Sequence, residues 1–194
     1  KDCRLRYNDL VRRKREITRS YLEQFQAAEK SILICCSYFL PGPLLRQKLA
    51  QALKRNVRVR VILTGISDVP FAKSAERYLY RWMLNRGIEI YEYQSNVLHA
   101  KVSTIDDRWT TIGSYNLNEV SALASLEANL DVRDRDFAIS TRLLLDQIIQ
   151  KDCRSIKLEE IKHRYGLFSR LGQRLSYYLI HAILWLFTFY FRQE

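Results

Sequence analysis

The sequence predicts an α/β fold: a mixed β-sheet covered by helices on both faces, with a hydrophobic C-terminal helix. Three observations carry this. Segments of helical and strand periodicity alternate from residue 9 to about residue 93. A run of strand-like segments follows, from 97 to 132, and that order of elements argues for helices packed over a mixed sheet. Residues 175–191 then carry no formal charge and are dense in aromatics, so a helix there must be buried in protein, lipid or a partner.

The elements follow in order. Residues 9–29 read as an amphipathic helix with Leu10, Ile17, Tyr21, Leu22 and Phe25 on one side. Its basic run Arg12, Arg13, Lys14 and Arg15 is a solvated face or a contact for lipid or nucleic acid. Residues 31–37 are a short bounded apolar run, hence a buried strand. Pro43 suits a helical first turn, and Leu45, Leu49, Ala52 and Leu53 form an inner face. Residues 57–63 alternate with Arg58 and Arg60 before turning fully apolar, which reads as a strand. Phe71, Ala75, Tyr78, Leu79 and Trp82 mark another helix, closed by Arg86-Gly87. Strands are expected at 88–93, 97–105, 108–113 and 127–132, and a helix over 136–150. The chain divides into a domain over 1–155 and a basic, hydrophobic tail over 156–194.

Composition narrows the function. Of 194 residues, 47% are apolar, enough for a real core. A net charge of +11 points to an anionic partner: nucleic acid, a phosphate ligand or an acidic lipid surface. The four cysteines form no disulfide pattern. Cys35 and Cys36 are adjacent in an apolar run and should face opposite sides of a buried strand. No metal-ligand spacing is visible, so no metal and no cofactor are expected, and a reducing compartment fits. The sequence opens on Lys1 without a signal peptide and reads as a fragment of a longer product.

The chemistry concentrates in His99-Ala-Lys101-Val-Ser-Thr-Ile-Asp106 and the following Gly113-Ser114-Tyr-Asn116. On a strand over 97–105, His99 and Lys101 would point to one face. An imidazole works as nucleophile or acid/base near neutral pH. A fixed ammonium beside it holds phosphate oxygens and offsets charge developing at phosphorus. Asp106 has the opposite parity and reads as a brace for the turn or a partner for a cation. Gly113 lets two backbones approach closely. Ser114 and Asn116, two apart, could both donate to phosphate. Ser67-Asp68 reads as a helix cap or part of a groove, and Tyr38 and Phe39 as core. His163 and His181 fit no motif.

His99-x-Lys101-x4-Asp106, then Gly113-Ser114-x-Asn116, then Glu127, resembles the phospholipase D superfamily signature. The stretches Ser37-Tyr38-Phe39-Leu40-Pro41, Thr64-Gly65-Ile66-Ser67-Asp68 and Ile90-Tyr91-Glu92-Tyr93-Gln94 look like the C-terminal half of bacterial cardiolipin synthases. Departures are Gly42 after Pro41, Ser95-Asn96, and Ser125-Leu126 before Glu127. The resemblance implies a phospholipase D-like sandwich over 1–155, with one copy of a motif that normally comes in two. It implies a covalent phosphohistidine, a second histidine as general acid, and no metal. His99, Lys101 and Asp106 would form the catalytic set, with Lys101, Ser114 and Asn116 on the phosphate. Glu127 would orient a histidine ring from behind. The family's N-terminal half commonly supplies the nucleophile, which makes His99 the acid/base; nucleophile is the alternative.

The expected activity is transfer of a phosphatidyl group between phosphatidylglycerol-like lipids. The expected partners are anionic phospholipid, a membrane surface, and a second motif-bearing half, upstream in the chain or on a homodimer partner. The tail over 175–191 and its basic flank would place it at the bacterial cytoplasmic membrane, on the cytoplasmic side. Two other readings stand beside this: a nuclease or phosphodiesterase built across a homodimer, and an inactive half-site that binds phosphate or lipid headgroups.

Overall fold

The computed structural model describes residues 2–9, 15–164 and 166–190. Its elements begin with β1 (Asp2–Asn8), α1 (Glu16–Ala27), β2 (Ser31–Cys36), α2 (Pro43–Lys54) and β3 (Arg58–Ile66). Then come α3 (Pro70–Asn85), β4 (Glu89–Val97), β5 (Lys101–Ile105), β6 (Trp109–Gly113) and α4 (Glu119–Leu123). The last are β7 (Glu127–Arg133), α5 (Arg135–Asp152), β8 (Cys153–Ile156), α6 (Leu158–Arg164) and α7 (Leu167–Tyr190). All eight strands form one sheet in the order β1-β7-β6-β5-β2-β3-β4-β8. The centre, β2, β3 and β4, is parallel and the remaining pairings are antiparallel. The sheet is mixed and has helices on both faces, as expected.

Strand alternation assigns the two cores. Along β2, Ile32, Ile34 and Cys36 enter the larger core with Tyr21 of α1, Leu49 of α2 and Leu79 of α3. Leu33 and Cys35 point the other way, onto Ile62 and Leu145 of α5. The adjacent cysteines therefore do face opposite sides of a buried strand. Burial pushes both thiols up to about 12, so they behave as small apolar groups.

Several expectations change. The helix expected over 9–29 begins at Glu16, after Arg15 in the left-handed region at φ 68°. Leu10, Arg12, Arg13 and Lys14 lie outside the described residues. The strand expected over 97–105 is two pieces: β4 continues to Val97 and β5 starts only at Lys101. A register shift between Thr64 and Ile66 carries β4 past its expected end at 93. The edge strands β1 and β8 were not expected: β1 alternates Cys3, Leu5 and Tyr7 with polar residues, but Cys3 and Leu5 are exposed, and β8 is only four residues long. Polar bonds hold β1: Arg6 Nε donates to Asp131 at 3.1 Å, and Asn8 Oδ1 accepts from Ile17 N at 3.1 Å.

The tail is two-sided rather than apolar all round. On its inner side α7 packs on α3, with the Tyr177 and Tyr78 rings 4.8 Å apart. Tyr177 and Ile180 join the main core. On its outer side Phe168, Leu171, Leu175, Leu179, Ile183 and Leu186 are exposed, Phe168 to 91%. Among the described residues no helix is long and apolar enough to cross a membrane. The division expected between 155 and 156 falls inside β8. His181 lies between α7 and α4, with Nε2 3.6 Å from the Glu119 carboxylate.

Candidate active site

One edge of the sheet collects the polar groups. It is the C-terminal edge of β2, β3, β4 and β6, where the antiparallel β5 and β7 begin. Crevices beyond the C-terminal ends of parallel strands are the usual binding place in open α/β sheets. His99 arrives on the three-residue link between β4 and β5 and is exposed. Lys101 opens β5 and is buried to 6% exposure. The two therefore come together through a crossover rather than through strand alternation. The Lys101 ammonium donates to the His99 carbonyl at 3.0 Å and lies 3.4 Å from Ser37 Oγ. Ser37 Oγ in turn donates to the Ala100 carbonyl at 3.3 Å. Burial lowers the pKa of Lys101, while the charges of Glu127 and Asp68 act to raise it.

Across the crevice, Gly113 ends β6. A Cβ there would lie 2.1 Å from the Ala128 carbonyl oxygen, so only glycine admits this close passage of β6 against β7. Ser114 follows, and its hydroxyl donates to Glu127 while accepting from Ala128 N at 3.0 Å. Asn116 Oδ1 accepts from Tyr38 N at 3.3 Å. That fixes the amide's orientation, so its NH2 is the group it can offer to an anion.

Asp106 is elsewhere. It stands at the far end of β5, in the left-handed region at φ 54°. Its carboxylate accepts from Glu29 N at 2.7 Å, Lys30 N at 2.8 Å and Ser31 N at 2.8 Å. Counting Asp106 among the catalytic groups is thus corrected. Four residues of β5 separate it from Lys101, and its oxygens clamp the α1–β2 turn. Ser114 also differs from expectation, because its hydroxyl donates to Glu127.

Two residues stand in the site that sequence reasoning left in lesser roles. The Tyr38 hydroxyl, expected in the core, donates to the Asp68 carboxylate at the C-terminal end of β3. Asp68 is exposed, and its charge is among those that raise the pKa of Lys101. In the turn, Val69 N donates to Ser67 Oγ at 3.1 Å. A polar pair just past the end of a buried parallel strand was the available signal for Asp68.

Residues 21–150 match the family model described as the phospholipase D-like domain of cardiolipin synthase. The chain belongs to this family. It is 38% identical over 141 residues to cardiolipin synthase B of Salmonella typhi, covering 73% of this chain and 34% of that protein. Against the minor cardiolipin synthase ClsB of Bacillus subtilis it is 29% identical over 164 residues, covering 82% of this chain and 40% of the relative. The chain thus spans only about a third of the length of the Salmonella relative. Among solved structures, Nuc of Salmonella typhimurium, a phospholipase D family member, aligns with TM-score 0.66 at 20% identity, over 80% of this chain and 98% of that one. Phosphatidylserine synthase of Haemophilus influenzae aligns with TM-score 0.71 at 16% identity, over 96% and 47%. These two share the fold.

The Lys101 ammonium and the Asn116 amide are donors of the kind a tetrahedral anion takes, and the exposed His99 imidazole shares their sheet edge. This one histidine can supply either an attacking nitrogen or a proton. Displacement at phosphorus by way of a covalent intermediate asks for both, from opposite sides of the phosphorus. Among the described residues no cluster of His, Cys, Asp and Glu is arranged to hold a metal.

Proposed function

We propose that this chain is the C-terminal half of a cardiolipin-synthase-type phosphatidyltransferase. The convergence of His99, Lys101 and Asn116 on one sheet edge carries the reading, and membership of the cardiolipin synthase family supports it. A second motif-bearing half, upstream in the same protein or on a second copy, supplies the other histidine. That ring nitrogen attacks the phosphorus of a phosphatidylglycerol-like donor. The phosphorus–oxygen bond to glycerol breaks, and His99 gives the departing oxygen its proton. His99 then takes the proton of the acceptor hydroxyl, whose oxygen bonds to phosphorus as the phosphorus–nitrogen bond breaks. The sum is two phosphatidylglycerols giving cardiolipin and glycerol.

Lys101 holds the phosphate oxygens and offsets the charge that builds on them. Its burial makes that charge count for more than it would in water. Glu127, already tied to Ser114, orients the histidine of the second half. The exposed apolar side of α7 and the net charge of +11 support attachment to an anionic membrane surface. On this reading the protein works at the cytoplasmic side of a bacterial membrane.

The test is turnover of phosphatidylglycerol in mixed micelles by the full-length protein, beside His99→Ala. Cardiolipin and glycerol formed only with His99 intact are the expected result. Cleavage of DNA in place of lipid, with steep salt dependence, would transfer the site to the nuclease reading. Phosphate or headgroup binding with no turnover of any diester would leave a binding half-site.

A further inference from the structure

An ionised carboxylate at the mouth of a phosphate site needs a reason, because it repels the ligand that Lys101 attracts. Asp68 is such a group. It is exposed, at the end of β3, within electrostatic reach of both His99 and Lys101. The hydroxyl of Tyr38 donates to it. That bond is the largest cause lowering the pKa of Asp68. Burial and the neighbouring carboxylate push the phenol of Tyr38 up to about 12. At neutral pH the pair is therefore phenol and carboxylate. The Tyr38 proton is committed to Asp68, so its oxygen presents lone pairs.

Tyr38 is also held from behind. Its own N–H is bonded to Asn116 Oδ1, and Phe39 N donates to Glu76 Oε2 at 3.0 Å. Glu76 is buried and paired to Lys73 at 2.7 Å. The Tyr38–Asp68 pair is thus fixed from two elements, and it sets two acceptor oxygens side by side at the sheet edge that carries Asn116 and His99. Two adjacent acceptors match two adjacent donors. A phosphate oxygen offers none, a simple alcohol offers one, and a vicinal diol offers two.

We propose that Tyr38 and Asp68 form a hydroxyl-recognising subsite that selects a polyol, glycerol-type group at the reacting phosphate. This rests on the transferase reading above and deepens it: the pair holds the glycerol whose oxygen exchanges a proton with His99. It also explains the tolerance of a negative charge here. A nucleic-acid backbone would bring further phosphates against Asp68, whereas a glycerol group brings only hydroxyls. Both residues act as specificity determinants. Neither takes part in bond making.

The test is competition binding to the full-length protein with three probes: glycerol 1-phosphate, ethyl phosphate and phosphoethanolamine. The expected result is a preference of about tenfold for glycerol 1-phosphate over ethyl phosphate, the scale of one hydrogen bond to a charged group. Asp68→Asn should collapse that ratio towards one. Tyr38→Phe, which removes only the hydroxyl, should reduce it in part. During turnover, Asp68→Asn should also shift products from cardiolipin towards phosphatidic acid, as water replaces the polyol acceptor. Equal affinity for glycerol 1-phosphate and ethyl phosphate in the wild type would overturn the proposal. So would a ratio that Asp68→Asn leaves untouched, or a preference for phosphoethanolamine, which would make Asp68 an ammonium site. The binding ratio is read without turnover. A protein that prefers glycerol 1-phosphate but makes no cardiolipin would therefore sink the transferase reading and leave this one standing.

Discussion

At its C-terminal end β5 delivers Asp106 to three backbone N–H groups within 2.8 Å. At its N-terminal end the same strand carries Lys101, buried and, among the described residues, bonded to a carbonyl and a serine hydroxyl, beside an exposed His99. One motif therefore does two kinds of work. The carboxylate end has its charge fully answered by the fold, and removing it should be felt as lost stability. The cationic end has a charge desolvated with no carboxylate in direct contact, an arrangement that is unfavourable until an anion arrives. Strand parity already sets Asp106 apart from His99 and Lys101; the partners show what it braces.

The sharpest way to break this contrast is His99→Ala. The ring is exposed, so the folded state should change by less than about 0.5 kcal/mol in a denaturant titration. Phosphatidyl transfer should fall by about a thousandfold or more, since an acid/base group is lost outright. A large stability change with modest loss of turnover would make His99 structural and dissolve the distinction between the two ends.

Lys101→Met comes next. Turnover should drop by about a hundredfold or more, the scale of losing one preorganised charge at the reacting oxygens. Stability should hold or rise by about 1 kcal/mol, because an apolar side chain of similar length replaces a desolvated ammonium. Asp106 should behave in the opposite sense. Asp106→Ala should lower stability by about 2–3 kcal/mol through three lost charge-assisted bonds. Asp106→Asn should lower it by about 1 kcal/mol. The amide oxygen can take the place of Oδ1, which serves both Lys30 N and Ser31 N, whereas Glu29 N loses its acceptor. Affinity for inorganic phosphate should fall with Lys101→Met and stay in place with Asp106→Asn.

What the sequence made legible follows the same physics. Buried central strands such as β2 and β3 announce themselves through apolar runs, and the helices through a 3.6-residue period. The edge strands β1 and β8 do not: Cys3 and Leu5 of β1 are exposed and the Arg6–Asp131 pair ties that strand to β7, while β8 is four residues long and gives the core only Ile156 and Cys153. The motif locates the cationic end of β5. Alternation misjudges how His99 gets there, since it sits on a crossover between two strands that periodicity reads as one. The Tyr38–Asp68 pair was least visible of all. Thirty residues separate its members, and only the parallel pairing of β2 with β3 brings their ends together. The tail, uncharged over 175–191, reads as uniformly apolar. Only packing on α3 shows that one side is taken and the other left open.

The smallest effect is also the most specific to the cationic end. Burial lowers the pKa of Lys101 from its ordinary value of 10.5. In the window between that lowered value and 10.5, the unfolded chain holds a proton on Lys101 that the folded chain has released. Stability from this group therefore rises with pH across the window. It is fully present above the unfolded value and is lost as pH falls through the folded one. Many tyrosines and cysteines titrate nearby, so the wild type alone would not isolate the effect. The difference between wild type and Lys101→Met would, because the other groups are common to both. Denaturation midpoints measured from pH 8 upward should show the variant's advantage shrinking as pH rises. Saturating phosphate should abolish the slope by holding the ammonium charged in the folded state. A pH-independent difference would mean that Lys101 carries its proton as easily folded as unfolded. The ammonium would then be solvated in the crevice, and the contrast between the two ends of β5 would come down to hydrogen bonding alone.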